Sequence, residues 1–331
     1  MLKDKNIGIL GGGSWATAII KIIGNQRNDI NWYMRDEESA DYIKIHKRNP
    51  KYLSSVKINP KNVRIFTDIN KIVNVSDILI LCIPSAFLAK ALENLNISIS
   101  NKIIFSAIKG IIPDKNLIIT DFLNKYWNVP LNSIGVISGP CHAEEVALER
   151  LSYLTISSKD IKMARQISDL FECSFIKTSI SDDVYGSEYS SVLKNIAAIA
   201  AGICHGLGYG DNFLSVLISN AIQEIKRFVD TVHPITRDID RSVYLGDLIV
   251  TSYSQFSRNR TFGTMIGKGY SLQNTKLEMN MIAEGYYSSY CIHEINKNYK
   301  VIMPVSDAVY NVLYEGISPA LEMKLLAENL A

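Results

Sequence analysis

The sequence predicts an α/β protein in which an N-terminal parallel-sheet domain is followed by an all-helical C-terminal domain. Three observations carry this. Short apolar runs alternate with helical periodicity through the first half, the pattern of buried parallel strands and their crossover helices. A glycine-rich turn joins the first apolar run to the first helical one. From about residue 187 the strand-like runs stop and helix-favouring runs take over.

The predicted strands are residues 7–10, 31–34, 78–83, 103–107 and 134–137. A further pair, 153–157 and 174–178, brackets an amphipathic helical stretch at 161–171 and reads as one more strand, helix and strand. The first domain is therefore expected to span 1–181 and the second 182–331. Helices in the second are expected at 190–203, 212–229, 279–296 and 305–313. A chain of 331 residues exceeds the size at which one core usually keeps growing, so two domains are the default.

Charge and composition remove several function classes. With 35 Lys and Arg against 33 Asp and Glu, the chain carries only +2, far from the basic stripe that nucleic-acid binding requires. The cluster Lys44, His46, Lys47, Arg48 and Lys51 reads as a solvated surface. No apolar run approaches the roughly 18 to 20 residues that span a bilayer, and residues 7–10 are too short for a signal-peptide core. Cys82, Cys141, Cys173, Cys204 and Cys291 stand far apart, odd in number and without metal-ligand or redox spacing, which points to a reducing, cytoplasmic setting.

Directly after the first strand comes Gly11-Gly12-Gly13-Ser14-Trp15-Ala16, and helical periodicity follows. This is G-x-G-x-x-A between strand and helix, the turn of a Rossmann-type dinucleotide-binding domain. Gly11 and Gly13 permit the sharp turn and close approach to a pyrophosphate, and Ala16 lets the helix pack against the sheet. The second strand ends at Met34-Arg35, where such folds read the adenosine ribose. Arg35 suits a 2′-phosphate, while Asp36, Glu37 and Glu38 come slightly late to accept ribose hydroxyls.

Carbonyl reduction needs a proton-exchanging group and groups that polarise oxygen. Lys109 follows the strand at 103–107 and is expected at the C-terminal edge of the sheet. Lys194 lies in the otherwise apolar run 191–200. It either lines a cavity, where desolvation lowers its pKa, or snorkels to solvent. Asp247 is a carboxylate within an apolar stretch that could orient Lys194, and Ser257-Arg258-Asn259-Arg260 offers donors suited to a phosphate. Cys141 and His142 are sequence neighbours without a third orienting group, which argues against a thiol nucleophile.

Together these stretches resemble the bacterial NAD(P)-dependent glycerol-3-phosphate dehydrogenases along almost the whole chain. The resemblance rests on the run from Gly11 to Ala18, Ala107-Ile108-Lys109-Gly110-Ile111, Ser138-Gly139-Pro140 and Leu193-Lys194-Asn195. It continues through Leu207-Gly208-Tyr209-Gly210-Asp211-Asn212, Leu245-Gly246-Asp247-Leu248, the run from Ser257 to Gly263, and Ala283-Glu284-Gly285. It implies NADP(H) or NAD(H) as coenzyme, reduction of dihydroxyacetone phosphate to sn-glycerol 3-phosphate, and a supply of that product to glycerophospholipid synthesis.

It further implies that Lys194, Lys109 and Asp247 are catalytic. Gly139, Cys141, Ser257, Arg258 and Asn259 would join them at the substrate. Gly11, Gly13, Ser14, Trp15, Arg35, Lys109, Ala143, Arg258, Ile282 and Glu284 would contact the dinucleotide. Asn195 and Thr251 match positions near the reacting centre. Two departures stand out: Cys141 replaces the family's usual hydroxyl residue, and residues 231–244 replace the usual small-residue approach to Gly246-Asp247. A two-domain 2-hydroxy acid or sugar acid dehydrogenase is the alternative enzyme, and a non-catalytic NADP sensor the alternative class. Expected partners are the small-molecule substrate alone, with no nucleic acid and no membrane insertion; a homodimer, feedback regulation and the direction of flux are left open.

Overall fold

The computed structural model describes residues 5–330 apart from Asn25, Asn28, Pro60, Asn280 and Ile282. In chain order it begins β1 (Ile7–Leu10), α1 (Ser14–Gly24), β2 (Ile30–Tyr33), α2 (Glu37–His46), β3 (Val63–Phe66), α3 (Ile69–Val75), β4 (Ile78–Leu81), α4 (Ser85–Glu93) and β5 (Ile103–Ser106). A two-stranded hairpin, β6 (Ile111–Ile112) and β7 (Leu117–Ile118), precedes α5 (Ile119–Trp127), β8 (Ile134–Ser138), α6 (Ala143–Ala147), β9 (Ser152–Ser158), α7 (Ile161–Phe171) and β10 (Ile176–Ser181). Then come α8 (Val184–Gly206), α9 (Asp211–Val232), a π turn at Ser242–Gly246, α10 (Asp247–Tyr253), α11 (Arg258–Gly267), α12 (Leu272–Glu278), α13 (Glu284–Tyr299), α14 (Pro304–Leu313) and α15 (Pro319–Asn329). Two compact units result: Met1–Ile108 with Ile119–Val184, and Lys109–Ile118 with Tyr185–Ala331.

In the first unit, eight strands form one sheet in the order β10-β9-β8-β5-β4-β1-β2-β3. All pairs are parallel except β8 with β9. Every residue of β1, β2 and β4 is buried, as expected when a parallel sheet is covered on both faces. That is why these strands read as unbroken apolar runs. Three details depart from the sequence expectation. β3 was not expected, because only Val63 is buried in this edge strand and exposed Arg64 interrupts its apolar run. The last strand begins at Ile176 rather than 174, after the irregular Cys173-Ser174-Phe175. The β8–β9 pairing makes the sheet mixed.

In the second unit α8 is buried along most of its length, so its face-to-face periodicity is weak and it reads as a core helix. α9 is amphipathic, with Leu214, Leu217, Ile218, Ala221, Ile225 and Phe228 on its buried side. α8 and α11 meet backbone to backbone. A Cβ added at Gly202 would lie 2.1 Å from the Arg260 carbonyl oxygen, and one at Gly263 would lie 2.1 Å from that of Ile199. Buried Glu224 of α9 caps α14: its carboxylate accepts from the Val305 and Ser306 N–H groups at 2.8 and 3.0 Å and from Ser306 Oγ at 2.6 Å. Burial pushes this carboxyl up to about 7 despite those three donors.

Two expectations for this unit change. The hairpin β6–β7 belongs to it, so it is not purely helical. The helix expected at 279–296 starts only at Glu284, because Met279 is extended at the end of α12 and Ala283 takes the extended N-cap conformation. The unusual segment 231–244 has a defined shape. His233 caps α9 and stacks on Tyr185 with ring centroids 4.7 Å apart, and Arg237 folds back to pair with Asp230 and donate to the His233 carbonyl.

Candidate active site

The helical unit holds the candidate catalytic cluster. Lys194 stands in the buried run of α8, 3% exposed, and Asp247 opens α10 at 1% exposure. The π turn at Ser242–Gly246 leads straight into Asp247. Such turns place an extra residue in the helical path and recur at functional sites. Lys194 Nζ donates to Asp247 Oδ1 at 2.5 Å and to Thr251 Oγ1 at 2.9 Å. Thr251, one turn beyond Asp247, donates its hydroxyl hydrogen bond to the Asp247 carbonyl at 2.6 Å, so its lone pairs face the lysine. The snorkelling alternative for Lys194 is thereby removed.

Lys109, the first residue of the hairpin segment held by this unit, completes the group. Its Nζ lies 3.0 and 3.3 Å from the two Asp247 carboxylate oxygens, and Asn195 Nδ2 donates to its carbonyl at 2.7 Å. Two ammonium groups thus share one carboxylate. Burial would raise Asp247, but the lysines Lys109 and Lys194 outweigh it and hold its carboxyl below the usual range. The penalty for the surplus positive charge falls on the more buried lysine. Desolvation, aided by the Lys109 charge and opposed by Asp247, lowers Lys194 to about 7. A group with that value exchanges protons readily near neutral pH.

The predicted phosphate segment forms the start of α11. Ser257 is the N-cap, with Oγ accepting from the Arg260 N–H at 3.2 Å. Asn259 is buried and its Oδ1 accepts from the Gly285 N–H at 2.9 Å, while Arg258 is exposed. Glu284 is half-buried as the first residue of α13. Ala283, just before it, borders a cleft of about 220 Å³ that Phe262, Lys276, Met279, Met281, Tyr286 and Tyr287 also line. Ile282 lies outside the described residues.

The sheet unit carries the glycine turn. Gly11 has φ +139°, and a Cβ there would lie 2.7 Å from the Cys82 carbonyl oxygen. The turn is tied to its neighbours by Gly11 N–H donating to the Tyr33 carbonyl (3.1 Å) and Trp32 Nε1 donating to the Gly11 carbonyl (2.7 Å). A Cβ at Gly13 would meet nothing within 4 Å. Ser14 and Trp15 open α1, which has no acidic residue in its first turn, and Arg35 is exposed just after β2. Gly139, with φ +116°, ends β8 close to the Tyr153 carbonyl. Cys141 is buried, as is Ala143 at the start of α6.

Sequence reasoning missed Asn49, a buried side chain in a loop. Its Nδ2 donates to the Gly12 carbonyl at 3.0 Å and to Thr17 Oγ1 at 2.9 Å. Nothing in the local sequence distinguishes it from a solvated loop asparagine; the partners of its Nδ2 lie more than thirty residues earlier.

Comparison with known proteins identifies the family. Residues 6–164 match the model of the NAD-dependent glycerol-3-phosphate dehydrogenase N-terminus, and residues 183–324 match that of its C-terminus. The chain is 36% identical over 318 residues to the glycerol-3-phosphate dehydrogenase [NAD(P)+] of Bacillus pumilus, covering 94% of this chain and 91% of the relative. A Clostridium perfringens protein of the same name is 33% identical, with 97% of each chain covered. The crystal structure of glycerol-3-phosphate dehydrogenase from Coxiella burnetii shares the fold with a TM-score of 0.89 at 24% identity, over 98% of this chain and 99% of that one. The two matches, which between them take in most of the chain, place it in the NAD-dependent glycerol-3-phosphate dehydrogenase family.

Proposed function

We propose that the protein catalyses the reversible NAD(P)H-dependent reduction of dihydroxyacetone phosphate to sn-glycerol 3-phosphate, and that this product supplies glycerophospholipid synthesis. The observation that carries the reading is the buried Lys194–Asp247–Lys109 cluster in a chain of this family. A 2-hydroxy acid or sugar acid substrate is not favoured by those relatives.

The residues present fit the dinucleotide. Open space stands over Gly13, the buried Trp15 Nε1 has no hydrogen-bond partner, and the first turn of α1 offers N–H groups with no competing acid. Gly11, Gly13, Ser14 and Trp15 would hold the pyrophosphate end and Arg35 the adenosine ribose. Ala143, Arg258, Ile282, Glu284 and Lys109 would reach the rest. When bound, the reduced coenzyme supplies hydride to C2 of the ketone.

In reduction, protonated Lys194 delivers its Nζ proton to the carbonyl oxygen; in oxidation, neutral Lys194 takes it back. Asp247 and Thr251 hold Nζ in place for both directions. Lys109 adds positive charge beside the substrate oxygen, the preorganised electrostatic help that transition states reward. The phosphate is assigned to the start of α11, where Arg258 contributes charge and free first-turn N–H groups converge. Ser257 Oγ accepts from backbone and keeps its own proton to donate. Asn259 Oδ1 is committed to Gly285, which leaves its amide hydrogens for the anion. Gly139 would let the substrate approach the backbone, with the Cys141 thiol a weaker donor than a hydroxyl.

The setting fits a cytoplasmic enzyme. All five cysteines are free, and no helix among the described residues is long and apolar enough to cross a membrane. Oxidation of NADPH and NADH by the purified protein, with dihydroxyacetone phosphate compared against pyruvate-type acids, tests the assignment. Turnover with the acids and none with the phosphorylated ketone would refute it.

A further inference from the structure

We propose that Lys51 is a second coenzyme-specificity residue, which neutralises Asp36 and, with Arg35, receives the 2′-phosphate of NADPH. This rests on the proposed placement of the adenosine ribose at the end of β2. Asp36 follows Arg35 there, and Lys51 Nζ sits 2.5 Å from Asp36 Oδ2. The Asp36 carboxylate also accepts from Ser39 Oγ at 2.5 Å.

The Lys51–Asp36 pair is solvent-facing, with side chains 59% and 40% exposed. Pairs of that kind contribute little to stability, so the fold gains little by holding them together. The backbone of Lys51 is nevertheless held firmly. Asn49 is 1% exposed and donates to the glycine turn and to α1 through Gly12 and Thr17. Its Oδ1 accepts from the Lys51 and Tyr52 N–H groups at 3.0 and 3.2 Å. Arg48 ties the far side of the loop by donating to the Ser54 and Ser55 carbonyls. One buried amide therefore couples the pyrophosphate turn to the loop that brings an ammonium group to the ribose end of the same site.

The chemistry follows from charge. An unpaired carboxylate after β2 accepts ribose hydroxyls and repels a 2′-phosphate. With Lys51 and Ser39 on it, Asp36 is both neutralised and occupied, and the repulsion is removed. A 2′-phosphate that shares Lys51 with Asp36 gains a second cation beside Arg35 while the aspartate stays neutralised. Without that phosphate, the lysine stays on the aspartate.

The test uses the full-length protein and two readouts. Calorimetric titration measures the affinity for 2′,5′-ADP, which carries the phosphate, and for 5′-AMP, which does not; steady-state kinetics gives the NADPH to NADH ratio of kcat/KM. Lys51→Met is expected to weaken 2′,5′-ADP at least tenfold relative to 5′-AMP and to lower the kinetic ratio by a similar factor. Asp36→Asn is expected to raise that ratio. Equal losses of both nucleotides in Lys51→Met would show a loop anchor and overturn the proposal. So would an unchanged 2′,5′-ADP affinity in Lys51→Met beside a loss in Arg35→Ala, which leaves the placement of the ribose standing. If neither variant alters either nucleotide, the ribose placement itself fails and the proposal with it.

Discussion

Lys194 and Asp247 meet at 2.5 Å with both side chains almost wholly removed from water. The pairing does not keep the lysine fully charged, because Asp247 is shared with Lys109 and desolvation wins at Lys194. This is the arrangement that the proposed proton exchange by Lys194 requires. Replacing Lys194 by Ala is expected to cost on the order of 10²-fold or more in kcat, while coenzyme affinity, read by fluorescence titration, changes little. Near-normal kcat would remove Lys194 from the role.

The two directions of the reaction should show opposite limbs. Reduction needs protonated Lys194 and should fall as pH rises through about 7; oxidation needs the neutral amine and should rise through the same value. Lys109 lowers Lys194 by its charge, so Lys109→Met should move both limbs to higher pH even as the rate drops. A drop in rate with the limbs unmoved would show that the charge of Lys109 does not reach Lys194.

Phosphate recognition is checked at α11. Arg258→Ala should raise KM for dihydroxyacetone phosphate at least tenfold, about 1.4 kcal/mol, with a smaller effect on kcat. Equal turnover of the phosphorylated and unphosphorylated ketones by the parent enzyme would overturn the phosphate assignment.

Glu224 links pH to stability. Its folded pKa of about 7 lies above the ordinary carboxyl value of 4.5, so the unfolded chain releases this proton first as pH rises. The native state is then progressively penalised between those two values. Thermal melts should show wild-type stability declining across that window from this group, and Glu224→Gln should flatten the decline. The variant should also melt lower at every pH, because an amide cannot accept all three hydrogen bonds at the start of α14. An identical pH dependence in both proteins would exclude Glu224 as its source.

The contact between α8 and α11 leaves no room for a methyl group at Gly263. Gly263→Ala should destabilise by about 1 to 3 kcal/mol, the usual range for overpacking, and a denaturant midpoint would read it. A midpoint equal to that of the parent would mean that the helices part without cost.

The glycine turn was legible because its signal is local: strand, Gly11, Gly13, Ala16 and helix all lie within a few residues. Lys194 was only half legible. Its apolar neighbours marked it as unusual, but whether it is buried depends on Asp247, 53 residues away, and on a lysine 138 residues from that aspartate. Residue pattern carries no distance of that kind; the family resemblance supplied it. β3 escaped because an edge strand needs burial on fewer positions, and Lys51 escaped because its partner Asp36 is brought to it by the fold.

Lys109 belongs to a ten-residue excursion that leaves the sheet unit after Ile108 and rejoins it at Ile119, and the helical unit holds it. Both charged groups that act on Lys194, Asp247 and Lys109, are consequently carried by one body. The electrostatic pull and push on the proposed proton donor are therefore written into that body, separately from the glycine turn of the other. On the proposed assignment, substitutions at the end of β2 that retune coenzyme choice leave the Asp247 and Lys109 charges where they are.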